Sequence, residues 1–143
     1  MKLIQIFQRL RLIEIFVIVV MLSVVVSIIS FLADPSKQFA ERRNAQREAD
    51  LYSFINALSQ YKVEHAEKFP SCIGQNPTHL GKQHGFVDLN FDLVPAYLVA
   101  IPKDPKGGTD EDTKYSIFQD EHGVVTIVAV GEMRKEKNIS VSR

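Results

Sequence analysis

The middle of the chain carries one thiol and two imidazoles, the side chains most often used in metal or nucleophile chemistry. Cys72, His79 and His84 lie in a stretch from 71 to 85 that is rich in Gly, Asn and Pro. Their spacing matches no standard zinc pattern. A Cys72 nucleophile would also need a base and a third orienting group, which cannot be named. We expect incidental loop residues here, and a membrane-tethered hydrolase using Cys72 is the weakest of three functional hypotheses.

Carboxylates near the end of the chain form a second candidate group. Asp104, Asp110, Asp112 and Asp120 lie in loops before and between two apolar runs. Calcium prefers oxygen ligands from such loops, so these four are candidate calcium ligands. The alternative, which we favour, is a set of solvated turns without metal. No phosphate-cradling Gly loop, Ser-His-Asp order or catalytic carboxylate pair can be defended, so we predict no enzymatic activity and no cofactor.

Glu14 is the third candidate, because it stands at the edge of a strongly apolar segment. The 19 residues from Ile15 to Ala33 carry no charge, and 14 of them are Ile, Leu, Val or Phe. A helix of that length spans roughly 28 Å, close to the hydrocarbon thickness of a bilayer. A carboxylate at this depth is costly unless it is paired or protonated. We expect Glu14 to act in assembly; the alternative is an interfacial acid that reaches headgroup water.

The apolar segment is predicted to be an uncleaved signal anchor with its N terminus in the cytoplasm, since it is too long for an ordinary signal peptide. Ser23 and Ser27, with Ser30, share one helix face at spacings of four and three. Small residues so placed allow a neighbouring helix to approach closely. The alternative is that each serine hydroxyl bonds back to its own helix.

The rest of the chain must position these groups, and its pattern predicts an α+β fold. A second helix carries the stripe Leu51, Phe54, Ile55, Leu58 and Tyr61, preceded by a stretch that is polar nearly all round. Two alternating runs, Tyr115 to Gln119 and Val124 to Val130, predict an antiparallel hairpin, and Asn138 to Ser142 could add a strand. The helix stripe would cover one face of this small sheet. The predicted segments are a leader-like 1–9, a membrane or filament-core helix 10–34, an amphipathic stem helix 35–69, a loop region with a short helix 70–113, and a sheet 114–143.

The composition of the chain restricts the classes of binding partner and the fold that it can have. Net charge is zero and there is no Trp, so neither a basic surface for nucleic acid nor a stacking platform is indicated. Cys72 is the only cysteine, so no intrachain disulfide can form. At 143 residues, with the N-terminal part committed to the membrane, one small domain remains.

The order of these parts resembles the type IV pilin-like proteins, and most closely the pseudopilins of type II secretion. The resemblance begins at Leu12-Ile13-Glu14, directly before the apolar stretch. It continues in READLYSFINALSQYKVEHAEKFP (47–70), in YLVAIPKDP (97–105), and in YSIF, Gly123 and the final strand. It therefore covers nearly the whole chain.

The resemblance implies a processing and assembly route. A prepilin peptidase would cut after Arg9, which stands where the family has Gly, and would methylate the new terminal amine of Leu10. That amine would pair with Glu14 of a neighbouring subunit and set the filament register. Without a cut, Arg11 becomes the partner of Glu14. The resemblance also implies calcium loops near the last strands, although this chain is shorter there and lacks a clearly matching ligand set.

Two functional hypotheses follow for the whole chain. The first is a structural subunit in the bacterial inner membrane, with its C-terminal domain outside the cytoplasm, which assembles with other pilins or pseudopilins on an inner-membrane platform. The second is an uncleaved, membrane-anchored binding or accessory module that does not polymerise. Arg9 favours the second, whereas Glu14 and the serine face favour the first.

Overall fold

The computed structural model describes residues 2–32, 34–133 and 136–143, with side chains described for 12–30, 34–133 and 138–143. The chain divides into two compact units, Met1–Gln38 and Phe39–Arg143. The elements in chain order are α1 (Lys2–Leu32), α2 (Pro35–Glu64), β1 (Thr78–His79), α3 (Asn90–Leu93), β2 (Tyr115–Gln119), β3 (Val125–Met133) and β4 (Glu136–Ser142).

The larger unit is α+β, with α2 packed on a four-stranded antiparallel sheet. The strands follow one another in the order β1-β2-β3-β4, so the sheet is a simple meander. The predicted stripe of α2 supplies one part of the core, and the segment from Ile73 to Leu93 supplies a second part. The inner faces of the strands supply the third: Tyr115, Ile117, Val125, Ile127 and Ala129 are all buried. Phe54 and Tyr115 meet edge to face, with ring centroids 6.2 Å apart.

The predicted hairpin is confirmed, and its turn is stabilised by Asp120. Tyr115 pairs with Ala129 and Gln119 with Val125, which sets the register of β2 on β3. The Asp120 carboxylate accepts hydrogen bonds from the backbone N–H of His122 and Val124, at 2.9 and 2.8 Å. Gly123 has a φ of 82°, a left-handed conformation that glycine adopts without a side-chain clash.

Three sequence-based boundaries need correction. The loop predicted from 71 to 85 contains β1, whose two residues pair with Ile117 and Ser116 of β2. Such a short strand carries no pattern of its own, because its conformation comes from the neighbouring strand. Helix α2 ends at Glu64, inside the predicted stem segment 35–69, and Ala66 and Glu67 after it adopt positive φ values of 52° and 62°. The last strand begins at Glu136 and not at Asn138.

The stretch of α2 that is polar nearly all round is not exposed throughout, because three of its polar residues are covered. Asn44, Arg47 and Asp50 are buried within the folded unit. They continue the apolar stripe towards the helix N terminus, because Arg47, Leu51, Phe54 and Leu58 follow one another at spacings of four and three. The same helix face is therefore polar at one end and apolar at the other.

Candidate functional site

The first candidate site is the surface of α1. This is one helix near the N terminus that is long and apolar enough to cross a membrane, by length and composition. Its large apolar side chains from Leu12 to Ile29 are between 43% and 68% exposed. An apolar surface of this extent is normally covered by lipid or by protein. The exposed apolar surface of α1 is therefore the first candidate for contact with lipid or with another protein.

The residues predicted to act in assembly lie along this helix. Ser23 Oγ donates to the backbone carbonyl of Val20, and Ser27 Oγ donates to that of Ser23, each at 2.7 Å. The hydroxyls of Ser23 and Ser27 thus bond back to their own helix, which is the alternative stated above. This finding does not test whether the serine face packs against another helix. Glu14 is exposed. Arg9, Leu10 and Arg11 belong to α1, but their side chains lie outside the described residues, so both proposed partners of Glu14 stay predictions.

The second candidate site is a network of charges that joins α2 to the sheet. One member of this network, Glu132, lies in a β-bulge of β3. Val130 pairs with Asn138 and Met133 pairs with Glu136, so two residues of β3 lie opposite one residue of β4. A bulge of this kind turns a side chain away from the regular alternation. Here it places Glu132 against α2. The backbone N–H of Glu132 donates to Asn44 Oδ1 at 3.1 Å, which anchors the bulge to the helix.

Arg47 lies at the centre of the network, with only 3% of its side chain exposed. Its guanidinium forms a fork with Asp104, with Nε–Oδ2 at 2.5 Å and Nη2–Oδ1 at 3.0 Å. Nη2 also donates to Glu132 Oε1 at 2.8 Å, and Nη1 donates to Asn44 Oδ1 at 2.8 Å. The planar guanidinium matches carboxylates in this two-bond geometry, so Arg47 joins a loop and a strand to the helix at once.

Glu132 accepts hydrogen bonds from two further cations. Arg43 binds both carboxylate oxygens, with Nε–Oε1 at 2.7 Å and Nη2–Oε2 at 2.6 Å. Lys106 Nζ lies 3.2 Å from Oε2. The hydrogen bonds from Arg43 hold the pKa of Glu132 well below its usual range, against desolvation, and those from Arg47 and Lys106 act in the same direction. Glu132 is therefore ionised throughout the neutral and mildly acidic range.

The loop that carries Asp104 is built closely around it. The backbone N–H of Lys106 donates to Asp104 Oδ1 at 2.7 Å, and that of Gly108 donates to the Asp104 carbonyl at 3.0 Å. A Cβ on Gly108 would lie 2.5 Å from the Asp104 backbone nitrogen, so the turn requires glycine for its close approach. These contacts hold the carboxylate of Asp104 in the position where Arg47 binds it.

A third buried polar contact lies where the network meets the apolar core. Tyr115 Oη donates to Asp50 Oδ2 at 2.7 Å, and Gln46 Nε2 donates to Asp50 Oδ1 at 2.8 Å. Burial raises the pKa of Tyr115, and the hydrogen bond to Asp50 adds to this effect. Among the described residues, every buried side-chain nitrogen or oxygen has a hydrogen-bond partner. A network whose members are all paired holds two elements in one arrangement.

The candidate calcium ligands are dispersed over these contacts. Asp104 is taken up by Arg47, and Asp110 binds Lys103 Nζ at 2.6 Å. Asp112 binds Lys114 Nζ at 2.6 Å and His79 Nδ1 at 3.1 Å, while Asp120 holds its own turn. Desolvation of Asp112 is outweighed by hydrogen bonds from Lys114 and His79, which lower its pKa to about 2. Within the described ranges, no three His, Cys, Asp or Glu side chains group as metal ligands would.

The thiol and the imidazoles are likewise separated. Cys72 Sγ is 4.0 Å from Asp92 Oδ2, whereas His79 faces Asp112. Partial burial raises the pKa of the Cys72 thiol, and the charge of Asp92 raises it further, so the thiolate is disfavoured. His84 is exposed. The geometry thus brings no base to Cys72 from these two histidines.

Comparison with known proteins identified no relative of this chain. No family model, no curated protein and no solved structure matches the chain. The functional argument therefore depends on the sequence pattern and on the geometry described above.

Replacing the central arginine tests the network. Arg47→Met keeps an aliphatic side chain of similar length at this position but removes the cation that Asp104 and Glu132 share. Loss of one partner from a buried ion pair typically lowers the free energy of unfolding by about 3–5 kcal/mol. The measurement is denaturant unfolding of the full chain in detergent, followed by tyrosine fluorescence, since no Trp obscures it. Arg42→Met, at an exposed position of the same helix, is the control. Equal stability of the two variants would contradict a structural role for Arg47.

The pH dependence of stability tests the assignment of Glu132. Because its pKa is lowered in the folded state, folding releases protons from this group at low pH. Its contribution is therefore full above the ordinary glutamate pKa of about 4.3 and decreases as the pH falls below it. We expect Glu132→Gln to be less stable than the parent at pH 7, with the difference shrinking below about pH 4. Glu121→Gln, in the exposed turn, should keep the parent profile, and a pH-independent difference for Glu132→Gln would disprove the assignment.

Proposed function

We propose that the chain is a pilin-like structural subunit that is anchored by α1 and assembles through it into a filament, as in a type II secretion pseudopilus or a type IV pilus. The observation that carries the proposal is the exposed apolar surface of α1 with Glu14 at its edge, ahead of a helix-and-sheet domain. The resemblance at Leu12-Ile13-Glu14 supports it. The proposed location is the bacterial inner membrane, with the N terminus in the cytoplasm and the domain outside it.

The physical basis of assembly is close packing and polar pairing between copies of α1. In lipid the apolar side chains are already satisfied, so helix association depends on packing and on polar groups. Glu14 supplies the polar group, because a carboxylate moved into a helix bundle needs a cation or a proton. In a processed subunit the amine of Leu10 on a neighbour would provide the cation, and in an unprocessed one Arg11 would do so. Specific pairing of this kind sets the axial register of a filament.

The soluble unit suits a role as a rigid outer domain. Its helix and sheet are joined by paired charges at one end of α2 and by apolar packing at the other. Its partners in this proposal are other copies or related subunits, a prepilin peptidase and an inner-membrane assembly platform, where an ATPase would drive filament growth.

Arg9 supports a second candidate function. The processing enzyme of the family approaches the backbone closely at a Gly, and a long cation occupies that place here. An unprocessed chain would keep its leader and act as a membrane-anchored accessory module. The two candidates differ in one covalent bond, between Arg9 and Leu10.

Removal of the Glu14 carboxylate tests the assembly proposal. We expect Glu14→Ala to insert into membranes at the level of the parent but to give no filaments, because the neighbouring cation loses its partner. The measurement compares the membrane fraction with sheared filaments pelleted from cells that coexpress the assembly machinery. Glu121→Ala removes one exposed carboxylate from the turn and should assemble normally. Normal filaments from Glu14→Ala would rule out the register role.

The intact mass of the protein separates the two candidates. The full chain is coexpressed with the prepilin peptidase of its own organism and purified from membranes. Loss of residues 1–9, with or without one added methyl group, is the result expected for a filament subunit. Retention of the leader would leave Leu10 without a free amine and would favour the accessory module.

A further inference from the structure

The free edge of the sheet adjoins a groove that the role of α1 does not use. The groove is an open cleft of about 590 Å³ between the polar part of α2 and the start of β4. Ala45 contributes to the helix side, and Met133, Asn138, Ile139 and Ser140 contribute to the sheet side. Glu41 and Glu48, both exposed, complete the helix side.

The backbone of β4 faces this opening with unpaired hydrogen-bonding groups. Val125 and Arg143 exchange both of their backbone hydrogen bonds, at 2.9 and 3.0 Å. In an antiparallel pair such bonded positions alternate with non-bonded ones. The register therefore directs the N–H and C=O groups of Asn138, Ser140 and Ser142 away from β3. Since β4 is the last strand of the sheet, these groups lie along its outer edge.

The two edges of the sheet differ in a way that matters for binding. The edge at β1 is two residues long, which is a common means of preventing further strand pairing. The edge at β4 is seven residues long. Folded proteins usually cover or interrupt an edge of that length, because it can template another strand. In the described part of the chain, the space beside β4 is open groove.

The charge along the groove selects the kind of strand that could occupy it. Glu41 and Glu48 are seven residues apart on α2, which places them about 10 Å apart along the helix axis. The ion pairs formed between described side chains include neither Glu41 nor Glu48. A strand beside β4 would present alternate side chains to the helix at intervals of about 7 Å. Lysine or arginine side chains at such positions are long and flexible, so they can pair with carboxylates about 10 Å apart although their own spacing is about 7 Å. Their aliphatic parts can lie on apolar surface.

We propose that this groove binds an extended basic segment of a partner protein, which adds to β4 as a further strand. Its main chain hydrogen-bonds to Asn138, Ser140 and Ser142, and its alternate Lys or Arg side chains pair with Glu41 and Glu48. The binding mode is β-strand addition, in which main-chain bonds give affinity and alternate side chains give specificity. It involves α2 and the sheet only, so it is independent of filament assembly through α1.

A peptide experiment tests the proposal on the full chain in zwitterionic detergent micelles. The probe is a fluorescein-labelled peptide of alternating lysine and valine, long enough to span the seven residues of β4. Fluorescence anisotropy measures binding, and hydrogen exchange measures protection of the β4 amides. One control peptide alternates glutamate and valine. Another keeps every lysine but carries prolines in place of valines, so it has the same charge and cannot add as a strand.

Of the three peptides, we expect only the lysine–valine peptide to bind and to slow hydrogen exchange of the Ser140 amide. Glu41→Lys/Glu48→Lys should weaken binding at least about tenfold, whereas Glu111→Lys/Glu121→Lys, at exposed loop positions, should leave it unchanged. Ser140→Pro should also abolish binding, because it removes an outward N–H without breaking the β3–β4 ladder.

Three results would overturn the proposal. Equal binding of the proline-containing peptide would mean that charge alone attracts the probe. Binding without protection of β4 would place the site elsewhere. Absence of binding, together with β4 amides that become protected as the protein itself is concentrated, would show that a second copy occupies the edge.

Discussion

The burial of the Arg47 guanidinium is the constraint on which the soluble unit depends. A buried charge is tolerated only when its partners replace the water that it has lost. Asp104 and Glu132 do so from a loop and from a strand, 57 and 85 residues further along the chain. The helix, the loop and the β-bulge must therefore all be in place together. Any one of them displaced would leave a charge without its counterion.

This requirement explains local features that otherwise look unrelated. The bulge in β3 exists where Glu132 must leave the regular alternation of the strand, and the tight turn at Gly108 holds the Asp104 backbone. Asn44 accepts from Arg47 and from the Glu132 backbone, so it links the helix to both. Apolar side chains could fill the same space with similar stability, but they would fix the helix position less specifically. In the proposed role as a repeated subunit, one fixed arrangement of helix and sheet would be an advantage.

The apolar residues of the two long helices differ in how they are covered. The face of α2 that meets the sheet is satisfied within the chain, with Phe54 and Leu58 at one end and Arg47 at the other. The apolar residues of α1 are exposed within the described chain, so their free energy depends on lipid or on other subunits. The two proposals therefore concern surfaces of different chemistry. Filament assembly uses an apolar helix with a single acid at its edge, and strand addition uses an acidic groove beside a strand edge.

The sequence by itself determined the elements whose signal is local. A charge-free run of 19 residues predicted the apolar helix by its length. The stripe from Leu51 to Leu58 and the alternation around Gly123 predicted the packed helix and the hairpin by their periods. Only the tertiary structure decided which charges are buried. Arg47 and Glu132 look like surface residues in sequence, because ion pairing between distant positions leaves no periodic pattern. The face that continues from Leu51 to Arg47 was the available hint, but its partner was supplied by a bulge that only strand pairing reveals.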